Sequence, residues 1–400
     1  MLEGRVVGLQ SVTTAPHGPN ALKVLQVGMG WFPEQAGGLN RFFYGCHQHL
    51  PTCQIDVSSL VTGSAADSKA GIYVSAEQEA SLLKRWFASG ALGKRLLAEL
   101  NPDLVASHFA LYMLPILSHT KQLPLVVHFH GPWALEGDAE GNRSLVTWMK
   151  KQIELPTYRR ADRFIVLSEA FRQVLHREYA VPLEKIEIVP GGVDCDRFDC
   201  TLAQTTAREH LGWPSDRPIV FAVRRLARRM GLENLISAMV EVQRQCPEAM
   251  LMIAGKGGLQ AELQQQIESL GLEQSVKLLG FVPDEDLPFA YRAANLTVVP
   301  TVALEGFGLI VIESLASGTP VMGTPVGGIP EILNPLSAQL LFDGTTPDAL
   351  SQGIIEALKG IRPLPSSETC RAYARTNYDW PIIAKRIATI YEQVVAEYPS

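Results

Sequence analysis

Twice along this chain, short β-branched or apolar runs alternate with longer stretches of helical periodicity, and that alternation leaves room for few folds. The first series runs through KVLQVGMG (from Lys23), QIDVSSLV (from Gln54), DLVASH (from Asp103), LVVHFH (from Leu125), RFIVLS (from Arg163) and IEIVP (from Ile186). The second runs through PIVFAVRR (from Pro218), MLMIAG (from Met250), VKLLG (from Val276), NLTVVP (from Asn295), PVMG (from Pro320) and AQLLF (from Ala338). Two such series predict two α/β domains, each built on a parallel sheet. The pattern breaks between Pro190 and Asp194, where a proline and two glycines interrupt it. The expected domains are therefore residues 23–190 and 191–379, with residues 1–22, which show no periodicity, as a loose extension. A chain of 400 residues exceeds what one core usually fills, which agrees with two domains.

Parallel sheets of this kind bind ligands beyond the carboxyl ends of their strands, so two in tandem suggest a cleft with one substrate held mainly by each. Composition narrows the ligands. A formal charge of −6 gives no general electrostatic reason to bind nucleic acid, so any polyanion site must be local. The first residues lack a basic segment followed by an apolar one, and no run of about 18 apolar residues occurs, so a cytosolic chain without a membrane span is expected. The six cysteines (Cys46, Cys53, Cys195, Cys200, Cys246, Cys370) contain no CxxC pair, which favours reduced, buried thiols over disulfides or zinc.

In VPTVALEGFGLIVIESLASGTPV a strand ends near Pro300, and a glycine-flanked loop leads into a helix that stops at Gly318. Backbone amides around Gly308 and Leu309 then form an anion site at a helix N-terminus. Glu313, about 80° around the helix from Glu305, is the one charged residue between Phe307 and Gly318. It needs a partner: sugar hydroxyls could supply one, as could an arginine or the solvent surface. Upstream, VRRLARRMG puts Arg224, Arg225, Arg228 and Arg229 just after the first strand of the second domain, where an anionic ligand would lie.

The first half is less explicit. GMGWFPEQAGG lacks the third glycine of a dinucleotide fingerprint, since Pro33 follows Gly28 and Gly30; the Gly37-Gly38 pair is a phosphate-approaching loop or an ordinary turn. His128 and His130 fall on the same face of a strand, as a core pair or as part of a site. No carboxylate or thiolate spacing makes zinc ligands of them with His108. The D-x-D of Asp194 and Asp196 reads as a turn and helix start rather than a metal pair. LLKRWFASGALGKRLLAEL, with Lys84, Arg85, Lys94 and Arg95 among Trp86, Phe87 and leucines, is an amphipathic helix that either faces water or lies on an anionic membrane.

The E-x7-E spacing of Glu305 and Glu313, RLARRMG from Arg225, IAGKGGLQAEL from Ile253, GFVPDEDLPFAYRAANLTVVPT from Gly280 and GTPVMGTPVGGIPEIL from Gly318 together resemble the family-4 retaining glycosyltransferases of the GT-B fold. The likeness covers about residues 23–395 and is strongest in the second half. It implies two Rossmann-like domains facing each other across a cleft, with a C-terminal helix over 380–400 joined to the first. It implies that Glu305, His130 and Arg225 act at the reacting centre. Donor binding would fall to Gly37, Gly38, Arg225, Arg229, Glu305, Gly306, Phe307, Gly308, Leu309 and Glu313, with Phe281 and Val282 near the base and His108 on the acceptor side. One departure stands out: the family usually has Lys-Gly where this chain has Met230-Gly231, and Arg229 is the neighbouring cation that could stand in.

The function so implied is transfer of a hexose, with retention, from a UDP- or GDP-sugar to a carbohydrate or lipid-linked hydroxyl in envelope or extracellular polysaccharide synthesis. No cofactor or essential metal is expected, and the place is the cytoplasm or the inner membrane face. An epimerase of the same fold and a non-catalytic nucleotide-sugar binder are the alternatives.

Overall fold

The computed structural model describes residues 21–64, 67, 69–135, 144–199 and 202–399. Most of the expected extension 1–22, together with Cys200, lies outside them. Seven strands form the first sheet: β1 (Leu22–Gly30), β2 (Ile55–Thr62), β3 (Ile72–Val74), β4 (Leu104–Ser107), β5 (Leu125–Phe129), β6 (Arg163–Val166) and β7 (Ile186–Ile188). Five form the second: β8 (Ile219–Val223), β9 (Met250–Ala254), β10 (Val276–Gly280), β11 (Leu296–Val299) and β12 (Val321–Gly323). Their orders are β3-β2-β1-β4-β5-β6-β7 and β10-β9-β8-β11-β12. The β1–β2, β1–β4, β8–β9 and β8–β11 pairs are parallel, as the alternating pattern requires.

Two expectations needed correction. AQLLF is not a strand: Ala338–Leu340 is a 3-10 turn in which the Gln339 amide donates to the Ser337 hydroxyl, and Leu341 makes an isolated bridge to Gly323. The strand β3 was not foreseen, because three half-buried residues carry no measurable alternation.

Two compact units divide the chain, residues 1–126 with 384–400, and residues 127–383. Helix Trp380–Glu397 starts in the second and ends in the first. Within the second unit, β9 is buried along its whole length and β8 nearly so, which is why both read as unbroken apolar runs. Their Val220, Ala222, Leu251 and Ile253 pack in one core with residues of helices Leu232–Gln245 and Pro347–Leu358. Each fully buried leucine or isoleucine there contributes about 1.5–3 kcal/mol.

Side-chain caps fix where helices begin. Ser81 accepts from Lys84 N at helix Leu82–Leu100, Ser168 from Phe171 N at helix Glu169–Tyr179, and Thr346 from Ala349 N at Pro347–Leu358. Asp194 accepts from Arg197 N at the short helix Cys195–Phe198, so the first carboxylate of the D-x-D is a helix cap. Asp196 pairs with Arg375. The five cysteines in the described residues are free thiols.

Candidate active site

The strand order of the second sheet reverses at β8 and β11, and open parallel sheets bind ligands at the carboxyl edge of such a reversal. Two loops leave that edge, one from Arg224 after β8 and one from Pro300 after β11. They are tied together by backbone and side chain alike. The Arg229 carbonyl accepts from Val302 N at 2.9 Å, and Arg229 Nη1 donates to Leu304 O at 2.9 Å. Arg224 Nη2 donates to Thr301 Oγ1 at 2.5 Å and to Glu305 Oε2, and Thr301 Oγ1 donates to the same Glu305 oxygen at 3.1 Å. The Arg224 and Glu305 side chains are only 7% and 12% exposed. Among the described residues no hydrogen bond reaches Glu305 Oε1, which leaves that oxygen to accept from a ligand hydroxyl.

The loop then runs into helix Leu309–Ala316, entered through Gly308 at φ 95°. An L side chain is strained in that conformation, so the sharp entry that exposes the first helical amides depends on glycine. Behind it, Ser168 Oγ donates to Gly306 O at 2.5 Å and Gly328 N to Glu305 O at 3.1 Å, bracing the backbone on either side of the Glu305 peptide. The result is a fixed carboxylate beside a helix N-terminus, which can hold a hydroxyl and an anion at neighbouring points.

Glu313 lies within that helix at 4% exposure, and the Tyr291 hydroxyl donates to its Oε2 at 2.8 Å. The partner that the lone glutamate required is thus at least in part a tyrosine from helix Leu287–Ala293. Sequence reading missed it, because the two residues are 22 apart and only packing joins them. Arg225 is exposed at the edge, whereas Arg228 turns outward to Glu233 and Glu262. Arg229 and Met230 are buried, and Arg229 acts on the backbone of the Glu305 loop. Lys256, a cation not singled out from sequence, follows β9 and stands 5.1 Å over the ring of exposed Phe281, next to Val282.

Of the first-unit residues, Gly37 is the N-cap of helix Gly38–His49, directly after the loop from β1. His108 follows β4, is 2% exposed, and meets Phe43 edge-on at 5.0 Å. His128 and His130 belong to the second unit, their rings stacked with centroids 6.2 Å apart. Burial lowers both: His128 falls well below the usual histidine range, helped by His130, and His130 falls to about 3. His130 is therefore a neutral hydrogen-bonding group at ordinary pH. Among the described residues no group of three His, Cys, Asp or Glu side chains is placed to hold a metal ion.

Comparison with known proteins bears on this edge. The family model for glycosyl transferases group 1 matches residues 203–377, and that for Glycosyltransferase Family 4 matches residues 36–197. A D-inositol 3-phosphate glycosyltransferase of Corynebacterium jeikeium is 30% identical over 309 residues, which are 73% of this chain and 72% of that protein. The chain belongs to the family-4 glycosyltransferases. Three of the first four curated relatives that this glycosyltransferase matches are covered over less than two thirds of their length, 55 to 59%. Among solved structures, sucrose-phosphate synthase from Thermosynechococcus elongatus superposes with TM-score 0.79 at 22% identity, covering 94% of this chain and 99% of that one. Anabaena HepE in complex with UDP-glucose does so with TM-score 0.76 at 20% identity, covering 93% and 100%. Both likenesses establish the GT-B fold for this glycosyltransferase.

Proposed function

We propose that this glycosyltransferase moves a hexose, with retention, from a nucleoside diphosphate sugar to an acceptor hydroxyl. The observation that carries the reading is the carboxyl edge of β8 and β11, where an oriented glutamate, an arginine-rich loop and a helix N-terminus meet. The diphosphate lies against Arg225 and the amides of Gly308 and Leu309, and Glu305 Oε1 accepts from a hydroxyl of the sugar. Glu313 serves the ribose, Phe281 and Val282 border the base, and Gly37 and Gly38 approach the phosphates. His130 serves at the reacting sugar, and His108 serves the acceptor. The bond from the anomeric carbon to the diphosphate oxygen breaks as the acceptor oxygen bonds to the same face. The acceptor's proton passes to the departing diphosphate. Positive charge and oriented amides stabilise the leaving group, so no protein nucleophile and no metal is required.

A panel of UDP, GDP and ADP with their common sugar conjugates, read by thermal shift, tests this. At about 100 times its dissociation constant a ligand stabilises the native state by about 2.7 kcal/mol. One nucleotide series is expected to raise the midpoint and to be consumed when acceptor is added. Binding without consumption would favour a non-catalytic binder, and a product that ignores the acceptor would favour an epimerase.

A second observation concerns location. Helix Leu82–Leu100 exposes Leu82, Leu83 and Phe87 at 48, 69 and 65%, alongside exposed Lys84, Lys94 and Arg95. Exposed apolar side chains flanked by cations suit an anionic membrane surface. We infer peripheral contact of this helix with the cytoplasmic leaflet, which fits a lipid-linked acceptor in envelope polysaccharide synthesis. Among the described residues no helix is long and apolar enough to cross a membrane.

A further inference from the structure

Glu154 plays no part in the donor site, yet it is a buried carboxylate, 2% exposed, in the second unit. It projects from helix Ser144–Arg160. Four donors converge on it. The Tyr158 hydroxyl donates to Oε1 at 3.3 Å and the Tyr179 hydroxyl to Oε2 at 2.6 Å, while the backbone amides of Trp133 and Ala134 supply the other two. An ionised carboxylate has about four acceptor sites, so this set fills them.

The two amides matter most for function. Trp133 and Ala134 begin a helical turn just after His130, Gly131 and Pro132, the residues that leave the carboxyl end of β5. Pro132 has no amide of its own to anchor that stretch. The hydroxyl donors are held rigidly: Tyr158 and Tyr179 meet edge-on at 5.0 Å, and Phe129, at the end of β5, touches both rings. Phe129 also meets Phe171, whose ring lies 2.6 Å from where a Cβ on Gly306 would stand. The support beneath His130 thus continues to the peptide beside Glu305.

We propose that Glu154 is the positioning residue that fixes the backbone after β5 and, through it, the place of His130 at the reacting centre. The inference rests on the transferase reading. Glutamine at this place would turn an amide N–H2 toward groups that themselves donate, so only a carboxylate satisfies all four. Holding it here is costly: burial raises the carboxyl to about 7, against the pull of its four hydrogen bonds. Among the described residues, the ionisable groups tied to this cluster are Tyr158 and Tyr179, both raised by burial, and Lys151, which lies 5.2 Å over the Tyr179 ring and 3.5 Å from Glu178. None of them supplies a cation to Glu154 directly. An apolar residue would stabilise the core more, so a role in orienting the loop accounts for the carboxylate better than stability does.

The test combines E154Q, E154A and Y179F with transfer kinetics and hydrogen exchange on the full chain. E154Q is expected to lower kcat on the order of 10- to 100-fold, as misplacement of a reacting group does. Donor KM is expected to stay within about twofold, because the donor loops are untouched. Exchange at Trp133 and Ala134 should quicken by roughly tenfold or more while the amides of β8 and β11 keep their protection. Y179F, which removes one donor and leaves the carboxylate, should fall between E154Q and the unsubstituted chain, and it serves if E154A does not fold. Unchanged kcat in E154Q and Y179F overturns the inference, as does unchanged exchange at the two amides. Loss of donor affinity in step with kcat, with exchange quickened throughout, would mark a structural role and overturn it too. If the unsubstituted chain transfers no sugar, the transferase reading falls and takes the catalytic half of the inference with it. Unchanged exchange with transfer intact overturns the inference alone.

Discussion

Arg224 and Glu305 bury opposite charges against each other at the carboxyl ends of neighbouring strands, with Thr301 bonded to both. The pair leaves one carboxylate oxygen held and the other open, which orients Glu305 before any ligand arrives. Removing the arginine strands a largely buried carboxylate, a change that typically costs about 3–5 kcal/mol. R224A should therefore lower the urea midpoint and cut turnover together. E305A strands the still more buried Arg224 guanidinium, with Thr301 as its remaining partner, so it should lower the midpoint as well while cutting turnover sharply. Turnover in E305A near that of the unsubstituted chain would remove Glu305 from the reacting centre.

The same loop can be disturbed from behind. Gly327 has φ 58°, and a Cβ there would stand 1.9 Å from the Glu305 carbonyl oxygen. G327A must move the Glu305 backbone, and it should reduce or abolish the midpoint rise produced by the preferred nucleotide. Gly360 supplies the control, with a similar φ of 70° and nothing within 4 Å of its would-be Cβ. G360A should cost about 1–2 kcal/mol of backbone strain and keep the full nucleotide response. An equal nucleotide response in the two variants would show that the loop's exact placement is unimportant.

Much of this arrangement was legible in the sequence, because it follows from short-range pattern. Unbroken apolar runs such as IVFAV and MLMIA, spaced by helical segments, identify strands buried on both faces. EGFG before an apolar helix announces a glycine-entered N-terminus. What escaped depends on contacts between residues far apart in the chain. Arg224 and Arg225 are adjacent and chemically identical, yet one is buried against a carboxylate 81 positions away and the other is exposed. Nothing local distinguishes them. Tyr291 against Glu313 and the two tyrosines on Glu154 are of the same kind: burial makes the partner necessary, and only the fold says which one it is.

Exposed apolar residues on helix Leu82–Leu100 make a separate prediction. Replacing Leu83 and Phe87 by serine exposes nothing new and removes large apolar area, so stability should change within about 0.5 kcal/mol. Binding to vesicles containing anionic lipid should drop, and it should also weaken with added salt, because the flanking cations act through a screened attraction. Equal sedimentation of the double variant and the unsubstituted chain would rule this helix out as the contact. Thermal response to nucleotide should be the same in both.

Acid and base act on this protein through groups of opposite sign. His47 is buried, bonded through Nδ1 to Ser59 Oγ at 2.7 Å, and its pKa falls from 6.5 to about 4; that of His130 falls to about 3. Between those values and 6.5 the unfolded chain binds the protons that the folded chain refuses. Their contribution is therefore present above about pH 6.5 and is lost as pH falls toward 4 and below. Glu154 runs the other way, raised from 4.5 to about 7, so its contribution is full below about pH 4.5 and is lost as pH rises through 7. H47Q should flatten the loss of stability between about pH 6.5 and 5, whereas E154Q should gain on the unsubstituted chain as pH rises from about 5 to 8. Urea midpoints of the three proteins across that range decide it. An E154Q difference that stays constant with pH would mean that Glu154 ionises alike in the folded and unfolded chain, and that its four donors fully offset its burial.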